Sequence, residues 1–341
     1  MKKLTKIGAS ALAGSLVAMS AQAGELGVSG IWELTYKSDD NANVGNPFGS
    51  KSALMFSGSG DVDGLGTASF YASTTDNVGS AFLSHSITLD MGDMGTVGFD
   101  QGVGAFGAGT IDDKSPTAWE ESWHNTANSS GGLVHSGGSA GVLGYSNSMS
   151  GFDITIEYAP ALTSADNGDG VAGGDDTSIA NGSNINFAVN NSSLVDGLTF
   201  GFGAGESEYD DSAEAGNEDG SSVVGYANYT MGSITAGVTL SESANTRSGT
   251  AISSNVGGRE VEAYGVSMAI NDNLSISYNQ HNMTYTKQGA GPDVEQESTG
   301  IAIAYTMGGA SIAIQNNSQD NSSGTANSND EITEVSLSLA F

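Results

Sequence analysis

Residues 331–341 read Glu-Ile-Thr-Glu-Val-Ser-Leu-Ser-Leu-Ala-Phe, and this stretch decides the fold. Val335, Leu337, Leu339 and Phe341 fall on one parity, and the residues between them are serine or alanine. Alternation with a period of two is the signature of a β-strand that has one apolar face and one polar face. The pattern therefore predicts a strand that runs to Phe341.

The same alternation recurs along the chain. Ile154, Ile156 and Tyr158 are separated by polar residues, and comparable stretches lie at 26–37, 198–203, 233–240, 274–279 and 301–306. After Gly24 no run reaches the roughly 18 apolar residues that a transmembrane helix needs. The chain is therefore predicted to consist of β-strands.

The polar faces of these strands differ from those of a soluble sheet. They carry serine, threonine, glycine, asparagine and aspartate with almost no lysine, whereas a soluble surface mixes lysine with glutamate. Polar residues inside and apolar residues outside are typical of a transmembrane barrel. Only alternate residues then face lipid, which explains the modest 38% hydrophobic content.

The charge balance excludes several classes of protein. The 341 residues include 9 Lys or Arg and 39 Asp or Glu, so the net charge is −30. Nucleic-acid binding is not expected, because phosphate recognition needs a basic surface. The chain has no cysteine, which excludes disulfides and cysteine-ligated zinc.

The connections between predicted strands alternate in length. Short connections rich in glycine or asparagine lie at 92–95, 147–151, 230–233, 271–273 and 307–310. Long polar stretches lie at about 102–138, 161–182, 205–220, 243–258, 287–296 and 317–330. These breaks give about sixteen strands, an even number as in bacterial outer-membrane barrels. The predicted fold class is an all-β transmembrane antiparallel β-barrel, with short periplasmic turns and long external loops.

The first 23 residues are predicted to be a secretory signal peptide. Lys2, Lys3 and Lys6 form a basic start, an apolar segment follows, and residues 21–23 give an A-x-A cleavage site. The barrel is expected to occupy residues 24–341. Removal of the signal takes three of the 9 basic residues, so the net charge becomes 6 − 39, or −33.

Several of these features together resemble a known family. The chain is similar to Gram-negative general porins, with the alphaproteobacterial (Rhodobacter-type) porin family as the nearest resemblance. The resemblance rests on the terminal strand ending in Phe341, on the strand count, and on residues 93–101, Asp-Met-Gly-Thr-Val-Gly-Phe-Asp-Gln. Residues 93–101 resemble the family's fifth strand, which enters a constriction loop, and Phe341 resembles its assembly signal. Asp100 stands where many relatives carry arginine, which weakens the basic wall.

The resemblance implies a trimeric, water-filled channel in the cell outer membrane of a Gram-negative bacterium, in contact with membrane lipids. The loop at about 102–138 would fold into the barrel and narrow it. Its acids, Asp112, Asp113, Glu120 and Glu121, would then focus negative potential on passing solutes. Acidic rings favour cations. The alternative is that these residues are solvated acids on an external loop.

The opposing pore wall is predicted from the polar parity of the strands. Lys37 and Lys51 lie near the outer ends of the first two strands, and Arg259 precedes the twelfth. Asp100 and Glu157 fall on the same polar phase. The basic residues either face the loop acids across the pore or pair with loop carboxylates and hold the loops down.

No cofactor is expected, apart from calcium bound by an external loop. Asp166, Asp169, Asp175 and Asp176 form an acidic segment that lacks EF-hand spacing. They are the weak calcium candidates, and no metal site is predicted with catalytic spacing.

The function that follows is passive diffusion of ions and small hydrophilic solutes with a preference for cations. Three alternatives stay open: a substrate-specific channel, an outer-membrane enzyme of barrel form, and a structural or adhesive barrel. Such an enzyme needs a Ser/His/Asp or a paired-acid site on the wall, and no spacing in the sequence singles out such a set.

Overall fold

The computed structural model describes residues 26–40, 45–75, 84–111, 114–128, 140–160, 181–209, 219–244, 256–287 and 292–341. The predicted signal peptide at 1–23 lies outside these residues. Within the described ranges, no helix is long and apolar enough to cross a membrane.

The chain forms sixteen β-strands. They are β1 (Gly27–Asp39), β2 (Phe48–Val62), β3 (Gly66–Thr75), β4 (Ser84–Asp90), β5 (Thr96–Gln101), β6 (Ala140–Met149), β7 (Phe152–Ala159), β8 (Asn181–Asn191), β9 (Leu198–Tyr209), β10 (Gly220–Met231), β11 (Ile234–Ala244), β12 (Val256–Asn271), β13 (Leu274–Lys287), β14 (Val294–Met307), β15 (Ala310–Asp320) and β16 (Asp330–Ala340). Short 3-10 turns lie at Gly92–Met94, Gly107–Ile111 and Ser322–Gly324.

Each strand pairs antiparallel with its neighbours in sequence, and β1 pairs with β16 to close the barrel. In this closing pair Trp32 lies opposite Leu339. Beyond the end of β16, the amide of Gly30 donates to the carbonyl of Phe341, and the amide of Phe341 donates to the carbonyl of Gly30. The predicted sixteen-stranded antiparallel barrel is confirmed, and closure leaves no strand edge unpaired.

The outer surface of the barrel is apolar. Exposed side chains on the outward parity include Leu54, Ile87, Phe202 and Ile301. An apolar band of this kind suits contact with lipid, because its side chains need no hydrogen bonds to water. Outward tyrosines occur near both ends of the strands, with Tyr36, Tyr158, Tyr278 and Tyr305 each 41–48% exposed, as expected of residues at membrane–water interfaces.

The two ends of the barrel differ. Seven short turns lie at one end, the turn end, for example at residues 63–65 and 232–233. The longer connections, such as that between β5 and β6, lie at the opposite end, the loop end. The predicted alternation of connection length is confirmed.

Several strands extend further toward the loop end than the sequence pattern indicated. β12 begins at Val256, so Arg259 lies inside the strand instead of preceding it. β15 likewise continues to Asp320, within the stretch predicted as a loop. A membrane strand needs only about 10 residues, and these polar extensions still form backbone ladders beyond the apolar band.

Candidate functional site: an inner loop and a two-part wall

The chain that follows β5 folds into the barrel. We call its described residues, 102–111 and 114–128, the inner loop. Its start is held by Asp100 of β5, whose carboxylate accepts hydrogen bonds from the amides of Val103 (2.6 Å) and Ala105 (2.7 Å). Asp100 is only 1% exposed. It faces inward, as its parity predicts, but it holds the start of the loop and does not line the pore wall as expected.

A glycine slot receives the first large side chain of the inner loop. Phe106 is 2% exposed, and its ring lies against Gly98 of β5 and Gly144 of β6. A Cβ atom on Gly98 would come within 2.8 Å of the Phe106 ring, and one on Gly144 would overlap it. Two inward glycines on adjacent strands therefore form the slot that this ring fills.

The turn at Gly107–Ile111 packs against the inner face of β7 to β10. The amide of Gly107 donates to Thr155 Oγ1 at 3.0 Å, and that of Ala108 donates to Asn186 Oδ1 at 2.5 Å. Asn186 also donates to Glu157 at 3.1 Å. Glu157 is 4% exposed, so this predicted wall residue is also covered, because the loop turn lies over it.

The turn ends in an apolar cluster that fills this side of the barrel. Ile111 is fully buried, and the cluster contains Val224, Val261 and Met283 from three wall strands. Burial of such side chains contributes about 1.5–3 kcal/mol each. The loop is therefore packed onto the wall as a core element.

The middle of the inner loop crosses β10 to β13. Pro116 fits between inward glycines, and a Cβ atom on Gly265 would come within 2.6 Å of the Pro116 carbonyl oxygen. Asn228 donates to the carbonyl of Lys114 and Asn279 to that of Pro116, both at 2.7 Å. Wall amides thus satisfy loop carbonyls that face away from water.

Further along, the inner loop reaches β13 to β15. Gln315 and Asn317 donate to the carbonyl of Glu121 at 2.7 and 3.2 Å. Trp123 is 7% exposed and its ring centroid lies 4.3 Å from that of His281. This tryptophan fixes the loop against β13.

The end of the inner loop meets β16 and β1. Lys37 donates from Nζ to the carbonyl of Asn125 at 2.7 Å, and Asn125 donates from Nδ2 to Glu334 at 2.6 Å. The amide of Ala127 donates to Asp330 at 2.7 Å. Lys37 also pairs with a carboxylate on its own strand, Asp39, at 3.1 Å.

The inner loop thus follows the inside of the barrel from β5 through β16 to β1. We call the inner face of β7 to β16 the covered wall. No hydrogen bond joins the described part of the loop to β2, β3 or β4, whose inner face we call the bare wall. In the described residues, the inner loop therefore lies on one side of the barrel interior and the bare wall lies on the other.

The predicted loop acids are only partly described. Glu120 is partly exposed, and its carboxylate lies 3.6 Å from Nδ1 of His124. Glu121 is also partly exposed. Asp112 and Asp113 lie outside the described residues, as do the calcium candidates Asp166, Asp169, Asp175 and Asp176. In the part of the chain that the structure covers, no His, Asp and Glu residues form a group that suits a metal ion.

The three predicted wall cations all face inward but do not form one cluster. Lys51 is exposed on β2, directly opposite Glu33 of β1. Lys37 holds the inner loop. Arg259 lies on β12 with its guanidinium carbon 5.7 Å from the Tyr285 ring centroid. Lys51 is therefore the cation that the bare wall presents to the lumen.

Carboxylates outnumber cations on the inward parity of the described strands. The inward cations whose side chains are described are Lys37, Lys51 and Arg259. The inward carboxylates are Glu33, Asp39, Asp61, Asp90, Asp100, Asp153, Glu157, Asp330 and Glu334. Most of these acids were not singled out from the sequence, although their shared parity with neighbouring serines and threonines was a usable signal.

Comparison with solved structures finds the same architecture in outer-membrane proteins. A porin from Comamonas acidovorans, described as anion-selective, has a TM-score of 0.64 at 14% identity, covering 93% of this chain and 100% of that one. The trimer form of OmpT, an outer membrane protein of Vibrio cholerae, has a TM-score of 0.66 at 11% identity, covering 93% and 99%. A mutant Rh. blastica porin has a TM-score of 0.58 at 15% identity, covering 93% and 100%. No protein-family model matches the sequence, and no curated protein matches it.

Proposed function

We propose that this protein is an outer-membrane porin, a water-filled channel for passive diffusion of ions and small hydrophilic solutes. The observation that carries the proposal is the inner loop, which lies against the covered wall and leaves the polar bare wall open. The structural likeness to proteins described as porins supports the proposal.

We further propose that the channel prefers cations. Inward carboxylates exceed inward cations, and fixed charges inside a low-dielectric tube act on ions more strongly than the same charges in open water. The Comamonas acidovorans porin has a similar fold and is described as anion-selective. Selectivity is thus expected to follow the lumen charges of each chain and not the fold.

A homotrimer in the outer membrane is the proposed assembly. The Vibrio cholerae protein with the same architecture has a trimer form. Among the described residues, outward carboxylates occur only on β9, β11, β12 and β14 to β16. The outward face of β1 to β8 lacks them, and it is the face that suits apolar subunit contacts, with the remainder facing membrane lipids. Heat-modifiable migration on a gel and light scattering in detergent test this assembly.

An enzyme of barrel form is the competing class. A hydrolytic site of the Ser/His type needs a histidine within hydrogen-bond reach of the nucleophile. In the described chain, both ring nitrogens of His281 lack partners, and His124 lies near Asn125, Glu120 and Glu334. Neither contacts a serine or threonine hydroxyl through its ring nitrogens. A substrate-specific channel is the second alternative, and the bare wall bears on it below.

The decisive experiment is conductance of the purified protein in a planar bilayer across a potassium chloride gradient. Discrete steps with a reversal potential on the cation side are expected. Replacement of Asp112, Asp113, Glu120 and Glu121 by neutral residues should reduce the cation preference. Absence of steps contradicts the channel, and anion preference in the unmodified protein contradicts the selectivity.

A further inference from the structure

The bare wall carries two neighbouring rows of hydroxyl groups. In the first row Ser57, Tyr71 and Ser86 lie directly opposite one another on β2, β3 and β4. In the next row toward the turn end, the positions are held by Ser59, Ser69 and Thr88. Neighbouring strands are about 4.8 Å apart and residues two apart along a strand about 6.7 Å. The hydroxyl-bearing side chains therefore form a regular array on the lumen side.

These residues line a concave pocket of about 420 Å³. Its volume lies within the roughly 300–1,000 Å³ typical of small-molecule sites. Gly27 of β1 borders the same pocket and faces inward opposite Ser57. Because Gly27 has no side chain, the pocket is not closed on the side that β1 borders.

Most hydroxyl-bearing residues of the pocket are accessible to solute, since Ser57 and Ser59 are exposed and only Ser86 is buried, at 6% exposure. In the part of the chain that is described, none of the six hydroxyls hydrogen-bonds another side chain. The covered wall is different, because Thr155, Ser277 and Asn279 are occupied by the inner loop. Each free hydroxyl is both a donor and an acceptor, so the pocket matches a ligand that is itself rich in hydroxyl groups.

The charge around the pocket further limits the ligand. No lining residue is charged. Asp61 and Asp90 lie in the following row toward the turn end, on either side of Thr67. The carboxylates of Asp61 and Asp90 therefore repel an anionic solute from the turn-end side of the pocket. The partly exposed ring of Tyr71 supplies an apolar plate for the C–H face of a sugar ring.

We infer that this pocket, formed by Ser57, Ser59, Ser69, Tyr71, Ser86 and Thr88, is a binding subsite for uncharged polyhydroxylated solutes such as sugars. The inference rests on the proposed channel function and specifies one solute class for it. Solute binds there weakly, so that it can leave toward either end. The subsite retains sugars beside the inner loop without closing the channel to ions.

The test measures ion current through single channels while glucose or maltose is added. Polyethylene glycol of equal solution viscosity sets the baseline. The unmodified channel is expected to show a saturable fall in current, with half-saturation in the millimolar range. The triple substitution Ser57→Ala, Ser69→Ala and Ser86→Ala preserves pore volume, and it should raise the half-saturation concentration about tenfold.

A matched triple substitution controls for the general loss of inward serines. Ser275→Ala, Ser311→Ala and Ser338→Ala change inward serines on β13, β15 and β16, and sugar block should be unaffected. Tyr71→Ala is a second variant, expected to abolish saturation while raising the ion current. Heat-modifiable migration confirms that each variant is folded.

The outcomes separate the two proposals. A protein that forms no channel overturns the proposed function and, with it, this subsite. A channel whose current falls with sugar no more than with polyethylene glycol overturns the subsite alone. Equal sugar block in the two triple variants also overturns it. Gluconate, the anionic counterpart of glucose, should bind more weakly, and equal or tighter binding contradicts the charge argument.

Discussion

The strands of the covered wall and of the bare wall both alternate inward polar residues with outward apolar residues, but their inward side chains differ in length. On the covered wall the inward polar residues include long amides, such as Gln315, Asn317 and Gln319, which reach the inner loop. On the bare wall they are mainly serine and threonine, which are too short to reach the described part of the inner loop, although Thr67 donates to Asp61 on the neighbouring strand. The parity of a residue along its strand determines whether its side chain faces inward. The length of that side chain, and whether the inner loop contacts it, determine whether it can meet solute.

The largest effect on the contrast between the two walls is expected from a substitution that fills the glycine slot. Gly144→Leu places a side chain where the Phe106 ring lies, so the inner loop should detach from the covered wall. We expect a loss comparable to deleting a buried phenylalanine, about 3–5 kcal/mol in loop docking. Single-channel recording should then show several fluctuating conductance levels instead of one.

Gly225→Leu is the matched control for this substitution. Gly225 lies on the outward parity of β10, and a Cβ atom there has no neighbour closer than 3.5 Å. One stable conductance level is expected. A single stable level in Gly144→Leu, equal to that of the unmodified protein, contradicts the role of the slot.

Glu334→Ala tests the attachment of the loop end. The carboxylate is nearly buried and accepts from Asn125, so its removal should weaken docking by about 1–3 kcal/mol. Limited proteolysis should cut the inner loop faster. Glu331→Ala, outward on the same strand, should leave the rate unchanged, and equal protection in both variants rules out the attachment.

Lys37→Met and Lys51→Met compare two lysines on adjacent strands. Lys37 donates to the inner loop, so its loss should weaken docking by about 0.5–1.5 kcal/mol. Lys51 lies on the bare wall, and its loss should leave proteolysis unchanged. Identical proteolysis of the two variants means that Lys37 is not an anchor.

Lys51→Glu should produce the smallest effect, confined to selectivity. Reversal of one exposed charge should raise the ratio of cation to anion permeability about two- to threefold, because water screens the site. The reversal potential measures this change. Glu262→Gln, on the outward parity of β12, is the control, and an equal shift in both variants contradicts the lumen position of Lys51.

The sequence allowed the barrel to be predicted because alternation is local. The strand at 331–341 and the alternating connection lengths needed no knowledge of neighbouring strands. The positions of Asp100 and Glu157 relative to the lumen were different. Their parity was correct, but their burial depends on the path of the inner loop, which is set by contacts between residues distant in sequence.

The path of the inner loop left weak signals in the sequence. Gly98 and Gly144 occupy ordinary positions in alternating strands, and only the fold places them side by side under Phe106. Asn and Gln at successive inward positions of β15 were a more usable sign. Side chains of that length on one wall, and serine on another, indicate which wall is covered.

The hydrogen bonds of Asn125 have a consequence for how the chain assembles. Lys37 of β1 and Glu334 of β16 lie directly opposite each other across the closing pair, and Asn125 bonds to both. Lys37 and Glu334 are separated by almost the full length of the chain, and they meet only when β1 pairs with β16. The last attachment of the inner loop therefore depends on closure of the barrel, because an unclosed sheet would hold the two partners of Asn125 on separate edges.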